Sequence, residues 1–375
     1  MSDIQIGMSK RARRTYSLDD IALVPTRRTR DASDVDTSWQ IDAFKFDTPL
    51  IGAPMDSVTS PATAIALGKL GGLGVLNLEG LWTRYEDPQP YLNEITAMPV
   101  DNPIAATCRM QEIYAEPIKP ELITARLSEI RESGVIVAGS LTPQNIQEHY
   151  ETVVKAGVDI FVIRGTTVSA QHVSQNREPL DLKKFIYELD VPVIVGGVAG
   201  YTPALHLMRT GAAGVLVGFG GGSAMTTRRG LGIHAAMATA ISDVVQARSD
   251  YLDESGGRYV HVIADGGQGR SGDIVKSLAL GADAAMIGAP LARAEEAPGR
   301  GLYWGNEAHS PEYPRGVRTP LEVVGPLEEV LYGPSHHVDG TSNIVGGIKR
   351  AMATCGYTDL KSFQRSEVTL IPYGG

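Results

Sequence analysis

A (β/α)8 barrel, the TIM-barrel class of α/β fold, is the architecture predicted by this chain of 375 residues. Three observations point to it. Short apolar runs recur eight times, most lead into a glycine, proline or polar turn and then a helix-like stretch, and several stand about 22–25 residues apart, one strand-helix unit each. Continuous Val/Ile-rich runs, unlike strict alternation, suit strands buried on both faces of a parallel sheet. Eight such units suggest closure, with a doubly wound open sheet as the competing arrangement.

The runs are "PLIGAP" (49–54), "GLGVLN" (72–77), "GVIVAGS" (134–140), "DIFVIRG" (159–165), "PVIVGG" (192–197), "GVLVGFG" (214–220), "YVHVIADGG" (259–267) and "AAMIGAP" (284–290). Between them, "TPALHLMRTGA" (202–212) reads as a helix with a threonine cap and a closing Gly211, and "SGDIVKSLALGA" (271–282) as one opening at Ser271 and closing at Gly281. Two connections exceed a bare unit. Residues 78–133 hold Trp82, several prolines and a helical "ELITARLSEIRES" (121–133), and the loop after the sixth run leads to an apolar helical stretch at 235–252. The tail after Pro290 has weak periodicity and is expected to be largely irregular, lying over one barrel face. The whole chain is read as one barrel domain, with 78–133 as a short insertion and 291–375 as a flap-like and C-terminal segment.

A formal charge of -9 argues against a nucleic-acid or membrane-surface protein. The locally basic "SKRARRTY" (9–16) is expected to be a solvated or subunit-contacting arm. Cys108 and Cys355 lie far apart without a signal-peptide pattern, which predicts no disulfide framework and a cytoplasmic setting.

In such a barrel, ligands sit at the strand C-termini and phosphate commonly binds near the last two strands. "VIADGGQGRSGD" (262–273) puts Asp265 at the end of the seventh strand, before Gly266 and Gly267, and Gly288 ends the eighth. Neighbouring glycine turns let backbone N–H groups approach an anion, and a carboxylate accepts hydrogen bonds from two vicinal ribose hydroxyls. Phosphate plus ribose means a nucleotide.

These residues resemble the IMP dehydrogenase and GMP reductase family, and the likeness covers nearly the whole chain. It rests on "YSLDDIALVP" (16–25), "GAPMDSVTS" (52–60), "GGLGVLN" (71–77), "ADGGQGRSGDIVKSLALGADAAMIG" (264–288) and "VGGIKRAMATCGY" (345–357). The likeness is nearest to the short, actinobacterial-type branch. The resemblance implies a (β/α)8 barrel, a purine nucleoside monophosphate (IMP, GMP or XMP), NAD or NADP, and a homo-oligomer such as a tetramer. The family's regulatory CBS domain pair, which usually follows the second strand, has no room in 78–133.

By the same resemblance, Ser223, Asp265, Gly266, Gly267 and Gly288 match phosphate and ribose contacts, and Met55 a base-side residue. Ala289 replaces a serine that often helps hold the phosphate. Gly220 and Gly222 match carbonyls around a monovalent cation, K+. Thr227 matches a threonine of the hydrolytic step, with a loop hydrogen-bonding role as the alternative once the cysteine is gone, and Asp56 a residue near the end of the first strand, with helix capping as the alternative.

The family loop reads Gly-Ser-x-Cys-Thr-Thr-Arg, with a cysteine that attacks C2 of the purine. Here Gly222-Ser223-Ala224-Met225-Thr226-Thr227-Arg228 puts Met225 at the nucleophile's place. A thioether has no proton to lose and forms no resolvable adduct. Arg164 stands where the family's aspartate holds the nicotinamide ribose, suggesting either a phosphate contact, as on a 2′-phosphorylated cofactor, or an ion pair within the protein. Gly197 replaces an asparagine, and 301–325 has no clear counterpart of the family's flap or of its purine-reading loop. His261, inside a strand, is expected to be a satisfied core histidine, and "SHHVD" (335–339) offers no metal-ligand spacing. Three readings remain: an oxidoreductase with altered chemistry, a non-catalytic nucleotide sensor, and a partner of an active relative.

Overall fold

The structure is a computed structural model that describes residues 4–175 and 179–371. Its centre is a closed barrel of eight parallel strands: β1 (Leu50–Gly52), β2 (Leu73–Asn77), β3 (Ala138–Leu141), β4 (Ile160–Arg164), β5 (Val193–Val198), β6 (Gly214–Val217), β7 (His261–Asp265) and β8 (Ala284–Ile287). Each pairs with the next in sequence, and β8 closes on β1 through Ala285–Leu50, Met286–Ile51 and Ile287–Gly52. Six of the eight apolar runs contain their strand entirely, and β3 and β5 each extend one residue past theirs, to Leu141 and Val198.

Strand side chains alternate between two environments, as a period of two requires. Val75, Ile160, Val162, Ile194, Leu216 and Ile263 belong to the buried group that fills the barrel. Phe161, Ile163, Val195, Val215 and Val262 pack outward with Leu127, Leu207 and Ile241 of the surrounding helices. Both environments are dry, which is why the runs carry apolar residues on both faces of the strands. The inward parity of β4 continues from Ile160 and Val162 to Arg164, and that of β7 from Ile263 to Asp265, so both charged residues stand at the C-terminal mouth.

The helices are α1 (Pro61–Lys69), α2 (Gln89–Ala97), α3 (Pro103–Ile113), α4 (Pro120–Glu132), α5 (Ile146–Lys155), α6 (Leu182–Glu188), α7 (Tyr201–Met208), α8 (Thr227–Leu231), α9 (Met237–Glu254), α10 (Ser271–Ala279), α11 (Ala289–Ala292), α12 (Leu327–Tyr332), α13 (Ile344–Thr354) and α14 (Leu360–Phe363). α7 starts earlier than its sequence suggests: the cap is Gly200, not Thr202. Both α7 and α10 are followed by glycines with positive φ, Gly211 (+99°) and Gly281 (+111°), as their sequences require.

The tail is more ordered than its weak periodicity suggests. It carries α12, α13 and α14, and Glu367–Leu370 pairs antiparallel with Ile21–Val24. α13 buries Ile344, Val345, Ile348 and Met352 on one face, but Gly346 and Gly347 interrupt that pattern in the sequence. At the N-terminus, Ile4–Ile6 and Lys10–Ala12 form a separate antiparallel hairpin. It is tied to α9 by Arg13, whose two terminal nitrogens each donate to Asp243 at 2.8 Å.

Candidate active site

A cavity of about 590 Å³ opens at the C-terminal mouth of the barrel. Met55, Arg164, Ser223, Met225, Thr227, Asp265, Gly266, Gly267 and Gly288 all line it, so the residues singled out in the sequence meet in one place. The turn after β7 needs glycine: φ is +104° at Gly266 and +74° at Gly267, conformations that side chains with a Cβ rarely adopt. The backbone of Gly221 lies against this turn, so two glycine loops converge on the same wall. Next to it, the Asp273 carboxylate accepts from the N–H groups of Gly269 (3.1 Å) and Arg270 (3.0 Å), fixing the start of α10.

Arg164 is held within the protein. Its Nε donates to Asp265 Oδ2 at 2.9 Å across the mouth, from β4 to β7, and both side chains are nearly buried. The β5 residue in register with Arg164 is Gly196, where a Cβ would meet Leu216 Cβ at 2.5 Å, so β5 and β6 pack closely beside the pair. Burial works against the guanidinium charge, but Asp265 and then Glu307 outweigh it and hold its pKa above the ordinary value. Of the two roles the sequence left open for Arg164, the ion pair is the one observed.

The loop after β6 is pinned. Met225 N–H donates to the Gly222 carbonyl (3.0 Å), Thr226 N–H to the Arg315 carbonyl (2.9 Å) and Val317 N–H to the Ala224 carbonyl (2.9 Å), with a bridge between Met225 and Gly316. One of the two carbonyls matched to a cation site, that of Gly222, is thus engaged within its own loop. The Met225 side chain lies over Gly305, where a Cβ would stand 3.3 Å from its Sδ. Ser223 is exposed, whereas Thr227 is buried at the first turn of α8.

Two cavity residues were not foreseen. Tyr303 is buried with its hydroxyl 3.6 Å from Met55 Sδ, and a Cβ on Gly288 would meet that hydroxyl at 2.6 Å. Burial pushes its phenol above the usual range. Ser57 fixes the neighbouring backbone, donating to the Trp304 carbonyl (2.8 Å) and accepting from Trp304 N–H (3.1 Å). Glu307 lies on the helical turn Asn306–His309, and its Oε2 is buried without a hydrogen-bond partner. Neither residue sits in a periodic stretch, so no local signal marks it.

Behind this wall, Asp56 is fully buried and accepts from Leu81 N–H (3.0 Å) and the Tyr114 hydroxyl (2.7 Å). It thereby caps the short helical turn Leu81–Thr83 from across the chain, and burial raises its pKa. His309 stacks on Tyr114 with ring centroids 3.5 Å apart, and burial, with Arg84 nearby, lowers its pKa to about 3. Arg318 donates to the carbonyls of Ile95 (2.6 Å), Met98 (2.9 Å) and Pro99 (2.7 Å) at the end of α2.

Outside the cavity, His261 lies 3.8 Å from Asp283 and edge-on to Trp39 and Tyr259, but its Nδ1 is buried without a hydrogen bond, so it is packed, not satisfied. His336 pairs with Glu329 at 2.8 Å, and no metal-type cluster of His, Cys, Asp and Glu occurs among the described residues. Cys108 is exposed and Cys355 buried, and neither lines the cavity. No helix among the described residues is long and apolar enough to cross a membrane.

The fold and its mouth define a (β/α)8 barrel with a cavity lined by glycine turns, one ion pair and a thioether. The family model of the IMP dehydrogenase / GMP reductase domain matches residues 15–317. A Mycolicibacterium smegmatis protein described as an uncharacterized oxidoreductase is 50% identical over 372 residues, covering 98% of this chain and 99% of its own. A likewise described protein of Mycobacterium tuberculosis is 49% identical with the same coverage. The inosine-5′-monophosphate dehydrogenase of Methanocaldococcus jannaschii is 24% identical, covering 97% of this chain and 94% of its own. The crystal structure of an IMP dehydrogenase/GMP reductase-like protein from Corynebacterium glutamicum matches with a TM-score of 0.94 at 51% identity, over 98% of both chains. The chain belongs to the IMP dehydrogenase/GMP reductase family.

Proposed function

We propose that the cavity binds a purine nucleoside 5′-monophosphate (IMP, GMP or XMP), and that the family's covalent route is closed at Met225. The observation that carries this reading is the convergence of Asp265, the Gly266–Gly267 turn, Gly288 and Met225 on one cavity. The glycine turns offer N–H groups to a phosphate, Asp265 offers carboxylate oxygen to ribose hydroxyls, and Met55 flanks the base. Met225 presents an apolar surface where a thiolate would attack, so any redox step with NAD or NADP proceeds here without a thioester-like adduct.

The nicotinamide half of the site fits the family's cofactor less well. Arg164 occupies the place of the carboxylate that would hold the nicotinamide ribose, and its partner is Asp265. This same ion pair favours a second reading, in which the barrel is a nucleotide sensor or a partner of an active relative, working as a cytoplasmic homo-oligomer. K+ at the Gly220 and Gly222 carbonyls belongs only to the redox reading.

The test is absorbance at 340 nm with micromolar protein, using IMP with NAD or NADP and GMP with NADPH or NADH. A Ser223→Ala, Asp265→Ala double variant is the blank, and Met225→Cys restores a thiol at the nucleophile's place. Turnover abolished in the blank establishes redox chemistry without a cysteine. Calorimetric binding without turnover establishes the sensor reading, and no binding of any of the three nucleotides at millimolar concentration removes both.

A further inference from the structure

Arg164 reaches Asp265 through Nε alone. Among the described residues its two terminal nitrogens donate to nothing, and both keep accessible surface where the residue lines the cavity. The outer edge of this guanidinium is therefore a planar pair of N–H donors, held in the mouth by the bond to Asp265. More donors stand beside it. Thr166, two residues on, also lines the cavity, and its hydroxyl accepts from Arg315 Nη2 at 2.9 Å. That leaves the O–H proton to donate, and no described residue accepts it. The Thr166 backbone N–H likewise donates to no described residue.

Arg315 adds charge behind this cluster. It makes no ion pair among the described residues, and its Nε is buried without an acceptor, a rare condition for a cation. Its backbone is fixed on both sides, donating to the Glu307 carbonyl at 2.8 Å and accepting from Thr226 N–H at 2.9 Å. The cluster is also apart from the glycine turns. Arg164 ends β4 and Gly288 follows β8, which in a closed barrel of eight strands puts them on opposite sides of the mouth.

We propose that the cavity holds a second subsite, at Arg164 and Thr166, which takes the carboxylate of a small organic acid beside the nucleotide. A planar fork of two N–H groups matches the two oxygens of a carboxylate, and Thr166 adds donors at its side. A phosphate dianion fits less well. Asp265 and Glu307 both act on the charge of Arg164, so they also repel an incoming anion, and a dianion twice as strongly as a monoanion. The positively charged ring of an oxidised nicotinamide is repelled by the guanidinium itself. The inference rests on the nucleotide reading above in one respect, that the nucleotide phosphate takes the glycine turns and leaves this end open. The two ligands are then coupled: ribose hydroxyls that donate to Asp265 draw its charge away from Arg164, and the carboxylate binds more tightly.

The experiment follows the NMR relaxation of 13C-labelled acetate titrated with the wild-type chain, with and without excess IMP, GMP or XMP. Acetate is expected to bind with a Kd on the order of millimolar and to tighten when a nucleotide is present. Arg164→Lys, which keeps the charge and loses the fork, should weaken acetate roughly tenfold, and Thr166→Val roughly threefold. Equal binding by the wild type and both folded variants, an adventitious anion only, overturns the inference, as does no acetate binding at all. Acetate displaced by nucleotide places the anion in the glycine turns and overturns it too, while leaving the nucleotide reading intact. If no nucleotide binds, that reading falls, and the comparison of wild type with Arg164→Lys still decides the subsite.

Discussion

Replacing Arg164 by methionine removes a guanidinium from a nearly dry site and leaves Asp265 as an unpaired carboxylate. Unit charges 2.9 Å apart attract by about 6 kcal/mol at an effective dielectric constant of ~20, before the cost of taking both from water. Breaking one side of a buried pair typically destabilises by about 3–5 kcal/mol, because the partner's desolvation remains uncompensated. Asp265→Asn creates the mirror problem for Arg164, whereas the double variant removes both charges and recovers much of the loss. A urea-unfolding cycle over the four proteins should therefore give a coupling energy of about 2–3 kcal/mol. Arg164→Met also frees Asp265 Oδ2 for a ribose hydroxyl, so under the nucleotide reading a purine nucleoside monophosphate should raise its unfolding midpoint more than that of the wild type. A coupling energy below about 0.5 kcal/mol would show that the two residues do not share a bond in solution, and the account of the mouth given above would fail with it.

Two further outcomes can be measured directly. Gly288→Ala brings a Cβ within 2.6 Å of the Tyr303 hydroxyl, and Tyr303 cannot retreat easily because Ser57 holds its neighbour Trp304; a loss of roughly 1–3 kcal/mol in chemical denaturation and weaker nucleotide binding are expected. An unchanged midpoint would mean that Tyr303 does not pack there. His309, whose pKa falls from 6.5 to about 3 on folding, binds its proton more readily when unfolded between those values, so stability should drop as pH falls below 6.5, by about 2 kcal/mol at pH 5. Asp56, with a raised pKa, acts in the opposite sense and is present in both proteins, so His309→Phe, which keeps the ring on Tyr114, should flatten the acid limb of thermal melts; an identical pH profile would rule out a buried neutral imidazole.

How far the sequence reveals this molecule depends on the range of the interactions involved. The barrel is legible because each strand is buried on both faces, which writes an apolar run at every unit. Asp265, Gly266 and Gly267 are legible because a strand end and a positive-φ turn leave local marks. The partner of Arg164 is not, since Asp265 lies 101 residues away and meets it only once the barrel closes. Tyr303 and Glu307 are hidden for the same reason: their neighbours Trp304 and Asn306 are held by Ser57, Asn77 and Pro54, in a stretch with no period of its own. α13 had a signal, but two glycines in its first turns obscured it.

Arg318 joins two regions that the chain separates widely, capping the last carbonyls of α2 from a segment that also covers Met225. Tyr114, at the end of α3, grips the same segment through His309 and Trp304. The helices of 78–133 and the cavity wall are therefore held to each other by these contacts, so a variant that breaks Arg318 or Tyr114 is expected to loosen both.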